Sequence, residues 1–181
     1  MSTRTYSVTG LVLKRSNSGE ADRVITLLTE TEGKLVGVAK NVRSLKSSQR
    51  AALEPGNLVQ VYCVKTAGLP IYTQTKLISE ALGSEPSLHT IRRLVQLLEI
   101  LDKLCVEDDV DVTTYQQAVA IRNAITQKKE TTAQITDRLG ALIESFGYPH
   151  PRDTKHASVL DYVQEITDKK MHSFDYLSVP K

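Results

Sequence analysis

The chain opens on a hydrophobic pattern of period two and closes on one of period 3.6. From Tyr6 to Leu13, Val8, Gly10 and Val12 alternate with Thr9, Leu11 and Leu13. This predicts a strand, because successive strand side chains point to opposite faces. Arg23–Thr29 is rich in strand-forming residues, and Lys34–Ala39 places Leu35 and Val36 before Val38. Between them Glu30–Thr31–Glu32–Gly33 reads as a hairpin turn, with Gly33 supplying φ > 0 where the chain reverses. Leu58–Lys65 sets Val59, Val61 and Cys63 on one face and Gln60, Tyr62 and Val64 on the other. Gly68–Leu69–Pro70 breaks the chain before a fifth strand, Ile71–Ile78, with Tyr72, Gln74 and Lys76 on one face. Five short strands predict a small barrel, since an open sheet would leave edges to protect.

The second part predicts helices. Ile91, Leu94, Leu98, Leu101 and Cys105 recur at alternating steps of three and four, one apolar helical stripe. Thr113 with Gln116 and Thr131 with Gln134 match the capping-box spacing that opens a helix. The first box leads into Ala118, Ile121 and Ile125; the second leads into Ile135, Leu139, Leu142, Ile143 and Phe146. Gly147 and Pro149 terminate the latter helix, and Ser158 with Asp161 opens a last one. A boundary near Gly83–Pro86 separates an N-terminal domain, residues 1–81, from a helical domain, residues 82–181.

Charge divides the same way. Residues 1–80 hold eleven basic and six acidic side chains, a net of +5, while the remainder carries −3. Such asymmetry suggests a polyanion for the first part and a different role for the second. The two cysteines, Cys63 and Cys105, imply neither a disulfide framework nor a zinc site, so a reduced cytoplasmic setting is expected. No apolar run approaches membrane-spanning length, and the N-terminus lacks the apolar core of a signal peptide.

Catalytic signatures are missing: no phosphate-binding Gly-rich loop and no G-x-S-x-G elbow. His89, His150, His156 and His172 do not fall at metal-ligand spacing. No enzyme activity and no cofactor are expected. Glu107, Asp108, Asp109 and Asp111 form an acidic cluster whose carboxylates suit either a divalent cation or a solvated loop, with Asp111 complementing a helix dipole. The strongest local signal is Lys34–Arg50. Lys34, Lys40, Arg43, Lys46 and Arg50 lie there with no acid between Gly33 and Leu53, and Ser44, Ser47, Ser48 and Gln49 stand among them. Cations with hydroxyl and amide donors bind phosphate oxygens, although a solvated basic loop has the same composition. Tyr62 and Tyr72 are candidate base-stacking rings, or else strand aromatics packed inward. Lys14 and Arg15, placed at the rim where the first strand ends, and Lys76 on the fifth, extend the candidate surface. Arg23 either faces nucleic acid or pairs with Glu20 in a turn.

Several blocks together resemble the RecO family of bacterial DNA repair proteins. They are Thr9–Lys14; Gly19–Glu20–Ala21–Asp22–Arg23 leading into Ile25–Thr29; Gly33–Leu35; Val38–Arg43; Ala51–Pro55; and Leu69–Ile71. The helical part resembles the family more loosely, through Phe146–Gly147–Tyr148. The resemblance implies an α+β chain: an N-terminal OB-fold barrel followed by an all-helical C-terminal domain. It implies a recombination mediator that binds single- and double-stranded DNA and anneals complementary strands. Such a mediator works with RecR to load RecA onto strands coated by single-strand binding protein (SSB), whose C-terminal tail it binds. This would make the protein cytoplasmic and nucleoid-associated. An OB-fold RNA-binding or scaffolding protein is the alternative. Many family members carry a four-cysteine zinc module after the Phe146–Gly147–Tyr148 position; no cysteine follows Cys105 here, so no zinc is expected. A receptor for an acidic tail ending in apolar residues needs cations beside an apolar pocket. Arg92, Arg93, Arg122 and Arg138 are the candidates in the helical domain.

Overall fold

The computed structural model describes residues 5–106, 110–156 and 158–173, and its strands follow the period-two part of the sequence. They are β1 (Thr5–Ser18), β2 (Asp22–Thr29), β3 (Lys34–Ala39), β4 (Leu58–Val64) and β5 (Ile71–Ser79), with a short helix, α1 (Gln49–Ala52), between β3 and β4. They close into a barrel in the order β1-β2-β3-β5-β4. Every pairing is antiparallel except β3 with β5, where Val38 faces Ile71 and Ala39 faces Tyr72 in parallel. This five-stranded barrel is the OB-fold.

One strand turns the barrel's corner. β1 pairs with β4 over Thr5–Leu11 and with β2 over Gly10–Ser18, and its register to β2 shifts between Val12 and Lys14. The extra residue is a bulge, which bends a strand and increases its twist. Lys14 and Arg15 were expected where the first strand ends; because of this bend β1 runs on to Ser18, and both lie within it.

Val8, Val12, Ile25, Leu27, Ala39, Val59, Val61 and Cys63 fill the barrel, with Val42, Ala52 and Leu53 at one end. Tyr72 joins them, which corrects its expected place on the outer face. A second register shift explains why. Tyr62 opposes Gln74, but the next pair is Cys63 with Tyr72, so Thr73 is an extra residue in β5. The bulge flips the phase, turning Tyr72 inward while Gln74 and Lys76 stay exposed. Tyr72 is 1% exposed, and its hydroxyl donates to the Leu35 carbonyl at 3.3 Å. Its ring lies against Gly37, where an added Cβ would collide with it.

The helices are α2 (Leu88–Leu104), α3 (Val112–Gln127), α4 (Thr132–Ser145) and α5 (Val159–Thr167), with a 3-10 turn at Pro151–Asp153. On α2, Leu94, Leu98 and Leu101 are buried as their spacing predicts. Cys105, also buried, falls just past the helix end. α3 begins at Val112, one residue before Thr113, so Thr113 falls inside the first turn rather than ahead of it as the capping-box spacing had placed it. The box at Thr131 is complete: its hydroxyl accepts from Gln134 N, and the Gln134 side chain accepts from Thr131 N at 2.9 Å. Gly147 adopts φ 85° after α4, and the Ser158 hydroxyl accepts from Asp161 N at the start of α5.

The chain divides into two compact units. One runs to Ala81 and also takes in Cys105–Val112; the other holds Leu82–Leu104 and the chain from Thr113. Within the first unit Lys34 Nζ donates to the Cys105 carbonyl at 3.4 Å.

Candidate nucleic-acid interface

Three connections meet at one end of the barrel. Residues 19–21 join β1 to β2, residues 40–48 join β3 to α1, and residues 65–70 join β4 to β5. Arg23 at the start of β2 faces Ala39 at the end of β3. Val38 N donates to the Pro70 carbonyl, and Arg43 N donates to the Ala21 carbonyl, both at 2.9 Å. The far end of the 40–48 loop is tied down by Gln49 Nε2, which donates to the Thr73 carbonyl at 3.1 Å, while Gln49 Oε1 accepts from Thr75 Oγ1. In OB-folds the β1–β2 and β4–β5 loops, with the β2–β3 face, are where oligonucleotides bind.

The expected cations sort into braces and open charges. Lys40 Nζ donates to Asp22 Oδ2 at 2.7 Å, and Asn41 N donates to Asp22 Oδ1 at 2.9 Å. The Lys40 hydrogen bond, with that of Asn41, holds the Asp22 carboxyl below its usual range. Asn41 takes φ 52°, the left-handed turn that asparagine tolerates, to start the loop. Arg43 Nη1 donates to the Gly19 carbonyl at 3.0 Å, fastening this loop to the β1–β2 connection. Lys40 and Arg43 therefore shape the loop as well as charging it. Lys46 and Arg50 are exposed and make no ion pair among the described residues. Lys65, not singled out by the sequence, is likewise exposed in the β4–β5 connection. Its one signal was its place just before the Gly68–Leu69–Pro70 break.

Three expected contacts are corrected. Lys34 sits at the opposite end of β3 from Lys40, roughly 20 Å away at about 3.3 Å per residue, and bonds to the Cys105 carbonyl. Arg23 is 5% exposed and points into the barrel end, where its Nη1 meets Glu54 Oε1 at 3.3 Å; its partner is Glu54, not Glu20. Tyr72 is core. Arg15 is exposed but its Nε lies 3.0 Å from Glu54 Oε2. Lys14 faces Thr26 across the sheet and is exposed.

Tyr62 is 44% exposed on the outer face of β4. It pairs with Gln74, and Gln60 pairs with Lys76, which makes Tyr62 and Lys76 diagonal neighbours, about 7–8 Å apart. This face offers one ring and one cation beside the loop end. Burial pushes the Cys63 thiol up to about 11, so it stays protonated at neutral pH and is no nucleophile.

In the helical unit, Arg122 is 2% exposed and donates to Asn123 Oδ1 at 2.8 Å, which removes it from any surface rim. Arg93 is half-buried, burial lowers its pKa, and its Nε has no partner. Arg92 is exposed. Arg138 is exposed and forks onto Glu130 at 2.8 and 2.7 Å. It borders a cavity of about 190 Å³ lined by Gln117, Ala120, Ile121 and Ala141. Gln117 Oε1 is buried there without a donor.

Among the described residues, no three His, Cys, Asp or Glu side chains gather as a metal site would require. Glu107, Asp108 and Asp109 lie outside the described residues; Asp111 is exposed, just ahead of α3. No described helix is long and apolar enough to cross a membrane.

Residues 1–81 match the family model "Recombination protein O N terminal". A DNA repair protein RecO of Bifidobacterium adolescentis is 31% identical over 136 residues, covering 73% of this chain and 54% of that protein. That of Heliobacterium modesticaldum is 32% identical over 101 residues, 56% of this chain and 37% of the relative. That of Streptomyces avermitilis is 42% identical over 81 residues, 41% of this chain and 33% of the relative. The chain spans about half the length of the first of these relatives, and that alignment is too long to stop at the barrel. By its OB-fold barrel, by the family model that residues 1–81 match and by relatives aligned over more than the barrel's length, the chain is similar to the RecO family of DNA repair proteins.

Proposed function

We propose that this chain is a non-enzymatic recombination mediator in DNA repair. It binds single- and double-stranded DNA, anneals complementary strands and helps to load RecA onto SSB-coated DNA, working with RecR. One observation carries the reading: an acid-free loop, residues 40–48, held at the binding end of an OB barrel with Lys46, Arg50 and Lys65 open to solvent. Phosphates meet those cations and the Ser44, Ser47 and Ser48 hydroxyls. Tyr62 supplies a ring on which a base stacks without regard to sequence, with Lys76 beside it. Arg15 and Lys14 extend the basic surface along β1.

The SSB tail fits the cavity beside Arg138. Ala120, Ile121 and Ala141 accept its terminal apolar side chain, Gln117 Oε1 accepts a peptide N–H, and Arg138 exchanges Glu130 for the tail carboxylate. Arg92 is the remaining exposed candidate. Anisotropy with a labelled tail peptide reads this directly: Arg138→Ala weakens it without changing affinity for naked strands.

Annealing of complementary strands coated with SSB tests the whole reading. Acceleration by the protein is the expected result. A protein that binds structured RNA and leaves coated DNA strands apart would be the alternative kind of OB-fold protein.

A further inference from the structure

Leu45 is 95% exposed, the most exposed large apolar side chain among the described residues. A leucine so placed leaves its whole apolar surface in water, and nothing in the barrel's packing requires it there. The loop that carries it is held at several points. Asn41 N is held by Asp22, Arg43 by Gly19 and Ala21, Ser44 N by the Asn41 carbonyl, and Ser47 N by the Ser44 carbonyl. Leu45 is thus displayed on a braced tip, between Arg43 and Lys46. The neighbouring β4–β5 connection repeats the arrangement. Leu69 is 46% exposed, in a turn closed by Thr66 Oγ1 donating to the Leu69 carbonyl at 2.9 Å, with Lys65 just before it. The next residue, Pro70, accepts from Val38 N, which puts this turn beside the start of the 40–48 loop.

We propose that Leu45, seconded by Leu69, is an apolar contact for nucleobases: it presses against or between the bases of a single strand whose phosphates the flanking cations hold. This rests on the DNA-binding reading above and adds to it a base-directed element outside the Tyr62 face. Cations beside the leucine select a polyanion, and a nucleic acid is the polyanion that also offers apolar faces. Apolar side chains inserted at base steps are a general means of unstacking them.

The test uses the full chain and an oligodeoxythymidylate carrying one 2-aminopurine, whose fluorescence rises when it is unstacked. Leu45→Ala removes the contact without touching the core, so the melting temperature stays unchanged. Affinity should fall roughly tenfold, the order expected for one leucine side chain covered on binding, and the fluorescence rise should shrink. The slope of log affinity on log salt should stay the same, because no phosphate contact is lost. Leu45→Phe should restore both affinity and fluorescence. If the parent does not bind the oligonucleotide, the DNA-binding reading itself fails. If the parent binds with a normal salt slope and Leu45→Ala matches it in affinity and fluorescence, this inference is overturned while that reading stands.

Discussion

Gly37 and Tyr72 offer the sharpest check on the barrel's interior. On propensity alone Gly37→Ala should help, since glycine inside a strand costs about 0.5–1 kcal/mol relative to alanine. The structure predicts the opposite. A Cβ at this position overlaps the Tyr72 ring, which β5's bulge has turned into the core and which has nowhere to retreat. Overpacking of this kind costs about 1–3 kcal/mol, and expelling the ring altogether costs about 3–5 kcal/mol. The steric term exceeds the propensity gain, leaving a net loss of up to about 2 kcal/mol. In urea, at a slope of about 2 kcal/mol per molar, the barrel's midpoint should fall by up to about 1 M. Tyr72→Leu should cost about 2 kcal/mol by itself, yet in the Gly37→Ala background the two losses should add to well under their sum, because the smaller side chain makes room for the methyl. Strict additivity, or stabilisation by Gly37→Ala, would refute the packing account. Tyr72→Phe should bind single strands like the parent, as a core ring should.

Thr131→Ala removes the capping-box hydroxyl at the start of α4 and should cost about 1 kcal/mol, visible as a lower thermal midpoint of the helical signal. Glu99 accepts the backbone N–H of His172 and the backbone N–H and hydroxyl of Ser173. Burial works to raise its pKa, but these bonds hold the group below its usual range. A depressed carboxylate contributes stability that is fully present above the unfolded value, near 4.5, and is lost as pH falls through the folded one. Glu99→Gln should therefore flatten the loss of stability below about pH 4.5, and an unchanged acid limb in chemical denaturation would contradict this.

The hydrophobic periods made most of the fold legible, while β2 was read from its strand-forming composition and α5 from the cap that opens it. What stayed illegible came from single-residue events. Thr73 adds one residue to β5 and so moves Tyr72 from the outer face to the core, a change that no alternation pattern reveals. The bulge at Leu13 likewise carried β1 past Arg15 instead of ending it there. Lys34 looked continuous with the basic run because it is close in sequence, but a strand separates its ends in space, and Lys34 lies a full β3 away from the loop. For Arg23 the sequence offered either nucleic acid or the nearby Glu20; its partner, Glu54, lies 31 residues on, beyond α1. Lys65 was overlooked because one lysine in a short connection carries no compositional signal until the β3–β5 pairing sets it beside the basic loop.

The salt dependence of single-strand affinity tests the central claim most directly. Each lost phosphate contact flattens the slope of log affinity on log salt by about 0.7. Replacing Lys46, Arg50 and Lys65 together with alanine should flatten it by about 2 units, while Lys34→Ala should leave it unchanged. Three alanines at the loop end with the slope intact, or a slope that moves only with Lys34, would contradict the placement of DNA on this end of the barrel.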